Sequence, residues 1–324
     1  MSARSPETVY IVGAGASFPY GVPIGSELRK QIAKSKELFE WNHPSVESAG
    51  FNVLVQDFTP SEINIFFERF PNAPQESIDR FLATSNSGAE VEIGKICIAY
   101  NLLVAESKCT IDSRETQGHW LLYLFNHLNL TMHPERLDGI AFVSFNYDRL
   151  IERFFDQAFR YGLGATEAQY MPKIVRVHGS LGDYSRSNWD ANIAHTIHAS
   201  EIQRAARDIQ IVHQTDACEE AKDLIGRAKR VVFLGFSYAE ENMRKIWPAS
   251  ELDIAKGFTY PFSIFGSAFG LKAGEVRRIP YLPPTPERGK PKTILGKENE
   301  DCLMMLREYD CLPTYGLPTK PIVL

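Results

Sequence analysis

A chain of 324 residues is long enough for one large domain or two moderate ones with a sizeable core, and 44% hydrophobic with 23% charged residues lies inside the globular norm. Forty acidic against 35 basic residues leave a net charge of −5, which argues against a broad electrostatic footprint for DNA or RNA, so direct nucleic-acid binding is not expected. Five cysteines, at 97, 109, 218, 302 and 311, are odd in number and never form a C-x-x-C pair, which removes a disulfide framework and a four-cysteine zinc ribbon. No apolar run approaches the roughly 18 residues of a membrane span, and Met1 to Val9 lacks the basic-then-apolar pattern of a secretory leader. The expected compartment is a reduced cytoplasm, away from any membrane.

In chain order, Val9 to Val12 reads as a short β-branched and aromatic strand that runs into Gly13-Ala14-Gly15-Ala16-Ser17. Beyond Gly21-Val22-Pro23, the segment from Ser26 to Phe39 places Leu28, Ile32 and Phe39 near helical spacing. From about residue 40 to 135 no strand signal appears, and Ser61 to Phe70, Gln75 to Leu82, Glu90 to Glu106 and Gln117 to Leu130 carry helical periodicity. Strand signals return at Gly139 to Phe145, followed by a helix over Tyr147 to Phe159 with Leu150, Ile151, Phe154, Phe155 and Ala158 on one face. Apolar bursts at Lys173 to Val177, Arg230 to Gly235 and Pro261 to Phe265 alternate with helices at Glu201 to Val212 and Asp216 to Arg227. The alternation predicts an α/β fold, a Rossmann-like parallel sheet with a large helical insertion subdomain. The main domain is expected over residues 1–285 and a C-terminal Pro-rich tail with a short helix, near Glu298 to Glu308, over 286–324.

Four segments at predicted strand ends carry candidate chemistry. Gly13-Ala14-Gly15 between strand and helix resembles a dinucleotide cradle, in which glycines let the backbone approach phosphates; a tight turn needed only for packing explains the same residues. Position 18 is Phe, so the third glycine of G-x-G-x-x-G is missing, and no acidic residue ends an obvious second strand, which disfavours hydride-transfer chemistry. Ser144-Phe145-Asn146-Tyr147-Asp148 leaves the second strand, and Asn146 and Asp148 fit either a ligand site or a helix cap. His178-Gly179-Ser180 follows the third, where a histidine is placed to act as a base or simply to pack. Gly235-Phe236-Ser237 follows the fourth, with Glu240, Glu241 and Asn242 beyond it, and its plain reading is a helix start with acidic first-turn residues.

Taken in this order, the four segments resemble the sirtuin family over about residues 8 to 270, with its Gly-Ala-Gly-x-Ser loop, Asn-x-Asp, His-Gly and late Gly-x-Ser. Together with Gly21-Val22-Pro23 and Val-His-Gly-Ser-Leu, the set looks most like the bacterial sirtuin-like NAD-cleaving proteins of anti-phage defence. Ile24-Gly25-Ser26 stands where protein-deacylating sirtuins have Asp-Phe-Arg, and their zinc-binding cysteine pairs are absent, which counts against an acyl-lysine substrate. The resemblance implies an NAD glycohydrolase that releases nicotinamide and ADP-ribose and depletes NAD during infection. The alternatives are an NAD-dependent protein deacylase and a non-enzymatic sensor of NAD or ADP-ribose. By the same resemblance Asn146 orients the attacking water or a ribose hydroxyl, and His178 accepts its proton. Gly13, Ala14, Gly15, Ala16, Ser17, Gly235 and Ser237 hold phosphates and the adenosine ribose, and Asp148 lies near the nicotinamide carboxamide. NAD is the substrate and no metal is expected; homo-oligomerisation or a separate activating defence protein is the expected gate, with the insertion as the candidate regulatory interface and most of its aromatic residues Phe58, Phe66, Phe67, Phe70 and Trp120 expected in its own core. His195 and His198, three apart, and the more distant His213 lack H-E-x-x-H spacing for a metal, and Glu219-Glu220 and Glu240-Glu241 are adjacent pairs that do not face one another on a helix.

Overall fold

The computed structural model describes residues 6–35, 49–164, 170–193, 197–211, 218–247, 263–279 and 292–313. Six short runs form parallel strands: β1 (Thr8–Val12), β2 (Ile140–Ser144), β3 (Lys173–Arg176), β4 (Arg230–Leu234), β5 (Ser263–Gly266) and β6 (Lys292–Leu295). Their order, β3-β2-β1-β4-β5-β6, is that of a Rossmann-like doubly wound sheet. Thr8 lies opposite both Ile140 and Arg230, and Val12 opposite both Ser144 and Leu234, so β1, β2 and β4 end at one level. The strand order reverses between β1 and β4, and in such sheets ligands bind beyond the carboxyl ends at that reversal.

Alternation within the strands separates two cores. Tyr10, Val12, Phe142, Val232, Leu234 and Phe265 face one side, while Val9, Ile11, Val143, Val231, Phe233 and Ile264 face the other. Into the first core pack α1 (Gly25–Lys34), α3 (Pro60–Asn72), α4 (Ile78–Ala83), α5 (Gly88–Ser107), α6 (Trp120–His127) and α7 (Leu150–Leu163), together with α2 (Ala49–Asp57) through Val53 and Leu54. Trp189 of α8 (Arg186–Ile193) and Ile202 of α9 (Ala199–Asp208) belong to the same core. The second side is covered by α10 (Glu219–Arg227), through Leu224 and Ile225, and by α11 (Glu240–Ile246), through Met243 and Ile246. After β5 come α12 (Ala273–Val276) and, last, α13 (Cys302–Glu308).

The helical insertion predicted for residues 40–135 is present as α2 to α6, with no strand among its described residues. Its centre is α5, apolar on nearly every side, which predicts burial all round; it packs against α1, α2, α3 and α4 and also against α8 and α9. The helical layer is thus closed by residues that follow β3 as well as by those before β2. Phe66, Phe67, Phe70 and Trp120 are buried in this core, as expected for most of the aromatic residues of the insertion. No helix among the described residues is long and apolar enough to cross a membrane.

Residues 286–324, expected to be a tail, contain the sixth strand. Lys292–Leu295 pairs along β5, but it is short, only partly buried and preceded by prolines, so it lacks the apolar burst that marks a central strand. Beyond it the Asp301 side chain accepts a hydrogen bond from Met304 N (2.8 Å) to cap α13, whose Cys302, Met305 and Leu306 join the main core.

The insertion is tied to the sheet by a buried ion pair. Arg149, just beyond β2, donates to Glu106 of α5 from Nη2 (2.6 Å), from Nε (3.2 Å) and from its own backbone N–H (2.6 Å), and the two side chains are 2% and 1% exposed. Removing one member leaves the other charge buried without compensation. Glu106→Ala is expected to lower stability by about 3–5 kcal/mol, read as a shift of the denaturant midpoint; a loss below about 1 kcal/mol, the scale of an exposed pair, contradicts this account.

Candidate functional site

The loop after β1 is built on backbone contact. Gly13 to Ser17 turn as a 3₁₀ helix (Ala14–Ala16), a second one follows over Phe18–Tyr20, and the α-helix begins only at Gly25, so no α-helix N-terminus rests directly on the glycines. A Cβ on Gly13 would lie 2.6 Å from the Gly235 carbonyl oxygen, and one on Gly15 would lie 2.9 Å from Gly235 Cα. Gly235 itself has φ +57°, and a Cβ there would overlap Ala16 N. Gly13 N donates to Leu234 O (3.0 Å), Gly15 N to Gly235 O (2.9 Å), Ala16 N to Gly13 O (2.9 Å) and Ser17 N to Ala14 O (3.1 Å). These amides are engaged within the protein, and the glycines are required by the meeting of the β1 and β4 loops. From the other side, the Trp120 indole N–H donates to Ala16 O (2.8 Å), so α6 of the insertion holds this loop.

The segment after β2 sends successive side chains to different elements. Asn146 Nδ2 donates to Gly13 O (3.1 Å) and to Ser17 Oγ (2.9 Å), joining the second strand end to the first. Tyr147 donates its hydroxyl to Asp79 of α4 (2.7 Å). Asp148 accepts from Leu150 N (3.3 Å), as the cap reading predicts, and interacts with the Ser17 hydroxyl. Arg149 reaches α5 as described. Arg176, from β3, donates to the carbonyls of Asn146 (2.9 Å) and Asp148 (2.7 Å) and pairs with Glu152, fixing the backbone of the segment. Burial pushes the Asp148 carboxyl up to about 6, against the opposing charge of Arg176 and the Ser17 hydrogen bond.

His178 leaves β3 with its carbonyl held by Gln210 N (2.9 Å) and its ring edge-on to Phe145, centroids 5.4 Å apart. Its Nε2 lies 3.2 Å from Asn242 Oδ1 of α11. Burial first, and then the charge of Lys245 on α11, hold the imidazole down to about 4, so it is neutral at physiological pH rather than poised near its ordinary value. Lys245 also acts on Asp79, whose carboxyl is raised by burial. Arg80, next to Asp79, pairs with Glu241 (3.0 Å), so α4 and α11 are joined beside the histidine.

Asn146, Ser17, Asp148 and the Gly13 backbone therefore form one connected group, with His178 on the neighbouring strand end. Asn146 and His178 are 7% and 4% exposed, buried rather than lining an open crevice. Ser237 is exposed on the β4 loop. Asp79, Tyr147, Arg176 and Lys245 were assigned no role from the sequence; nothing in the helical periodicity of the insertion distinguishes Asp79 from a solvated helix residue. Among the described residues no three His, Cys, Asp or Glu side chains gather as a metal site; His198 is exposed, and His195 and His213 lie outside the described residues. No protein-family model matches the sequence, and no curated protein matches it.

Asp148 has a testable thermodynamic signature. Because its folded-state pKa is raised from 3.8 to about 6, it favours the folded state in its protonated form; that contribution is complete below the unfolded value and is lost as pH rises through the folded one. His178, depressed, works in the opposite direction over the same range and cancels when two proteins that both carry it are compared. Asp148→Asn should therefore gain stability on the parent between pH 4 and 7, by about 3 kcal/mol, in denaturant titrations at each pH. A difference that does not change with pH contradicts a raised Asp148.

Proposed function

We propose that the protein is a sirtuin-like NAD glycohydrolase, hydrolysing the bond between nicotinamide and ribose. The observation that carries this reading is the connected group of Asn146, Ser17 and Asp148 at the reversal point of a Rossmann-like sheet, with a neutral histidine at the next strand end. The order of the four segments in the chain, Gly-Ala-Gly-x-Ser, Asn-x-Asp, His-Gly and Gly-x-Ser, supports NAD as the substrate.

Cleavage balances as NAD and water giving nicotinamide, ADP-ribose and a proton. The C1′–N bond breaks with its electron pair going to the pyridinium nitrogen, which becomes neutral; the water oxygen bonds C1′; the water proton passes to His178 and then to solvent. A neutral leaving group makes the sugar cation-like before water attacks, so strong base help is not needed, and a histidine held near 4 returns its proton to solvent readily at neutral pH. Asn146 is the polar group available to orient the water or a ribose hydroxyl, and Asp148, ionised above about 6, supplies negative charge beside the cationic ring.

Both proposed catalytic side chains are buried, which supports an enzyme kept inactive until self-assembly or a partner opens the site. The test is product analysis of the full chain with NAD over a range of protein concentrations, with and without an acetylated peptide. ADP-ribose without peptide is expected, reduced about 10² to 10⁴-fold in His178→Ala, with turnover compared at a temperature where both proteins are fully folded, because truncating the buried His178 also lowers the melting temperature. Acetylated ADP-ribose formed only with peptide makes the protein a deacylase. Intact NAD that binds but is not cleaved at any concentration makes it a nucleotide sensor.

A further inference from the structure

We propose that Ser267, the first residue after β5, is a positioning residue for the nucleotide loops: its hydroxyl oxygen fixes Gly235 and, through it, the turn over residues 13–17. That these loops hold a nucleotide rests on the glycohydrolase reading; the fixing of Gly235 does not. Gly235 N donates to Ser267 Oγ at 2.8 Å, and Gly235 O accepts from Gly15 N at 2.9 Å. A backbone N–H can only donate and a carbonyl can only accept, so the direction of both bonds is set by the groups themselves. One glycine thus carries a hydrogen-bond chain from the end of β5, across the end of β4, to the end of β1.

Ser267 is well placed to be the fixed end of that chain. It is 3% exposed, its N–H donates to Phe233 O (2.8 Å), and its carbonyl accepts from the Tyr238 hydroxyl (2.9 Å). The hydroxyl therefore holds the start of the stretch 235–238 and the carbonyl holds its end. Gly266 makes room for the second contact, since a Cβ there would overlap the Tyr238 hydroxyl. Both ends of the stretch have left-handed backbone, Gly235 at φ +57° and Tyr238 at φ +55°, a conformation that a non-glycine residue rarely takes and that persists only where its surroundings hold it. The Cys302 thiol of α13, 4% exposed, interacts with the Ser267 side chain and with the Gly235 backbone, so the C-terminal helix backs the same contact. Without the hydroxyl the Gly235 N–H is left with sulfur, a weak acceptor. A glycine has the backbone freedom to turn away from it, and turning carries its carbonyl off Gly15 N. Phosphates and adenosine ribose lie away from the bond that breaks, so contacts to them are alike in ground and transition state, and their loss appears in KM rather than kcat.

The experiment combines hydrogen exchange of the full chain, resolved at Gly235 by fragmentation mass spectrometry, with NAD kinetics and calorimetric titration of ADP-ribose. The parent is expected to protect the Gly235 amide, Ser267→Ala to exchange it about 10-fold faster, and Ser267→Thr, which keeps the hydroxyl, to restore most of the protection. KM for NAD and Kd for ADP-ribose should rise roughly 10-fold in Ser267→Ala at little changed kcat, and fall back in Ser267→Thr. A role in packing alone would lower the melting temperature and leave KM and Kd where they were. Rapid exchange at Gly235 in the parent, a measurement that needs no variant to fold, overturns the proposal. So does a Ser267→Ala protein with parental protection, or one whose KM and Kd stay parental while exchange rises. If the amide behaves as expected while the parent neither binds ADP-ribose nor cleaves NAD, Ser267 still fixes Gly235 and the glycohydrolase reading falls.

Discussion

A guanidinium taken out of water is tolerable only where a carboxylate meets it in good geometry, and the Arg149–Glu106 pair is where this protein accepts that condition. The pair fastens the longest helix of the insertion to the segment after β2, the same segment from which Asn146, Tyr147 and Asp148 depart. Trp189, from the far side of β3, lies 5.9 Å from the Arg149 guanidinium, so a third part of the chain covers the charge. Asn146 thereby reaches the glycine loop, Tyr147 α4, Asp148 both its own helix and Ser17, and Arg149 α5. The candidate site is the place where these directions are resolved.

The sheet was legible because strands buried on both faces must be continuous apolar bursts, as β1, β2, β4 and β5 are, while β3 at one edge was still marked by its Ile174-Val175 pair. The sixth, Lys-Thr-Ile-Leu at an edge, has too little apolar surface to declare itself and is recognised only by its pairing with β5. The insertion was legible as helices, yet its partners were not, since nothing in the periodicity of α8 and α9 says that they close the core around α5.

The grouping of the candidate residues was legible, their chemistry being a matter for the proposal alone. Asn146, Asp148 and Ser17, separated in the sequence, are joined by hydrogen bonds, and His178 stands on the adjacent strand end. Two things lay outside the reach of the motifs. The glycines of the first loop serve a backbone contact with Gly235, which needs both loops in view before a packing role and a phosphate role can be weighed. The environment of His178 depends on Asn242 and Lys245, residues of an ordinary-looking amphipathic helix, and on burial, so its downward shift is a property of the assembled fold.

The division of the helical layer between residues before β2 and residues after β3 bears on how the chain reaches its native state. The apolar surface of α5 is only partly covered by its sequence neighbours; α8 and α9 complete it, and they are made after the first three strands. The insertion is therefore not a separable module that can be excised or fold ahead of the sheet. Its contacts are long in sequence, which raises the loop-closure cost of forming them and slows folding relative to a local helical bundle. During synthesis the apolar flank of α5 waits, exposed, for the second half of the chain, and that interval is when this protein is most open to aggregation.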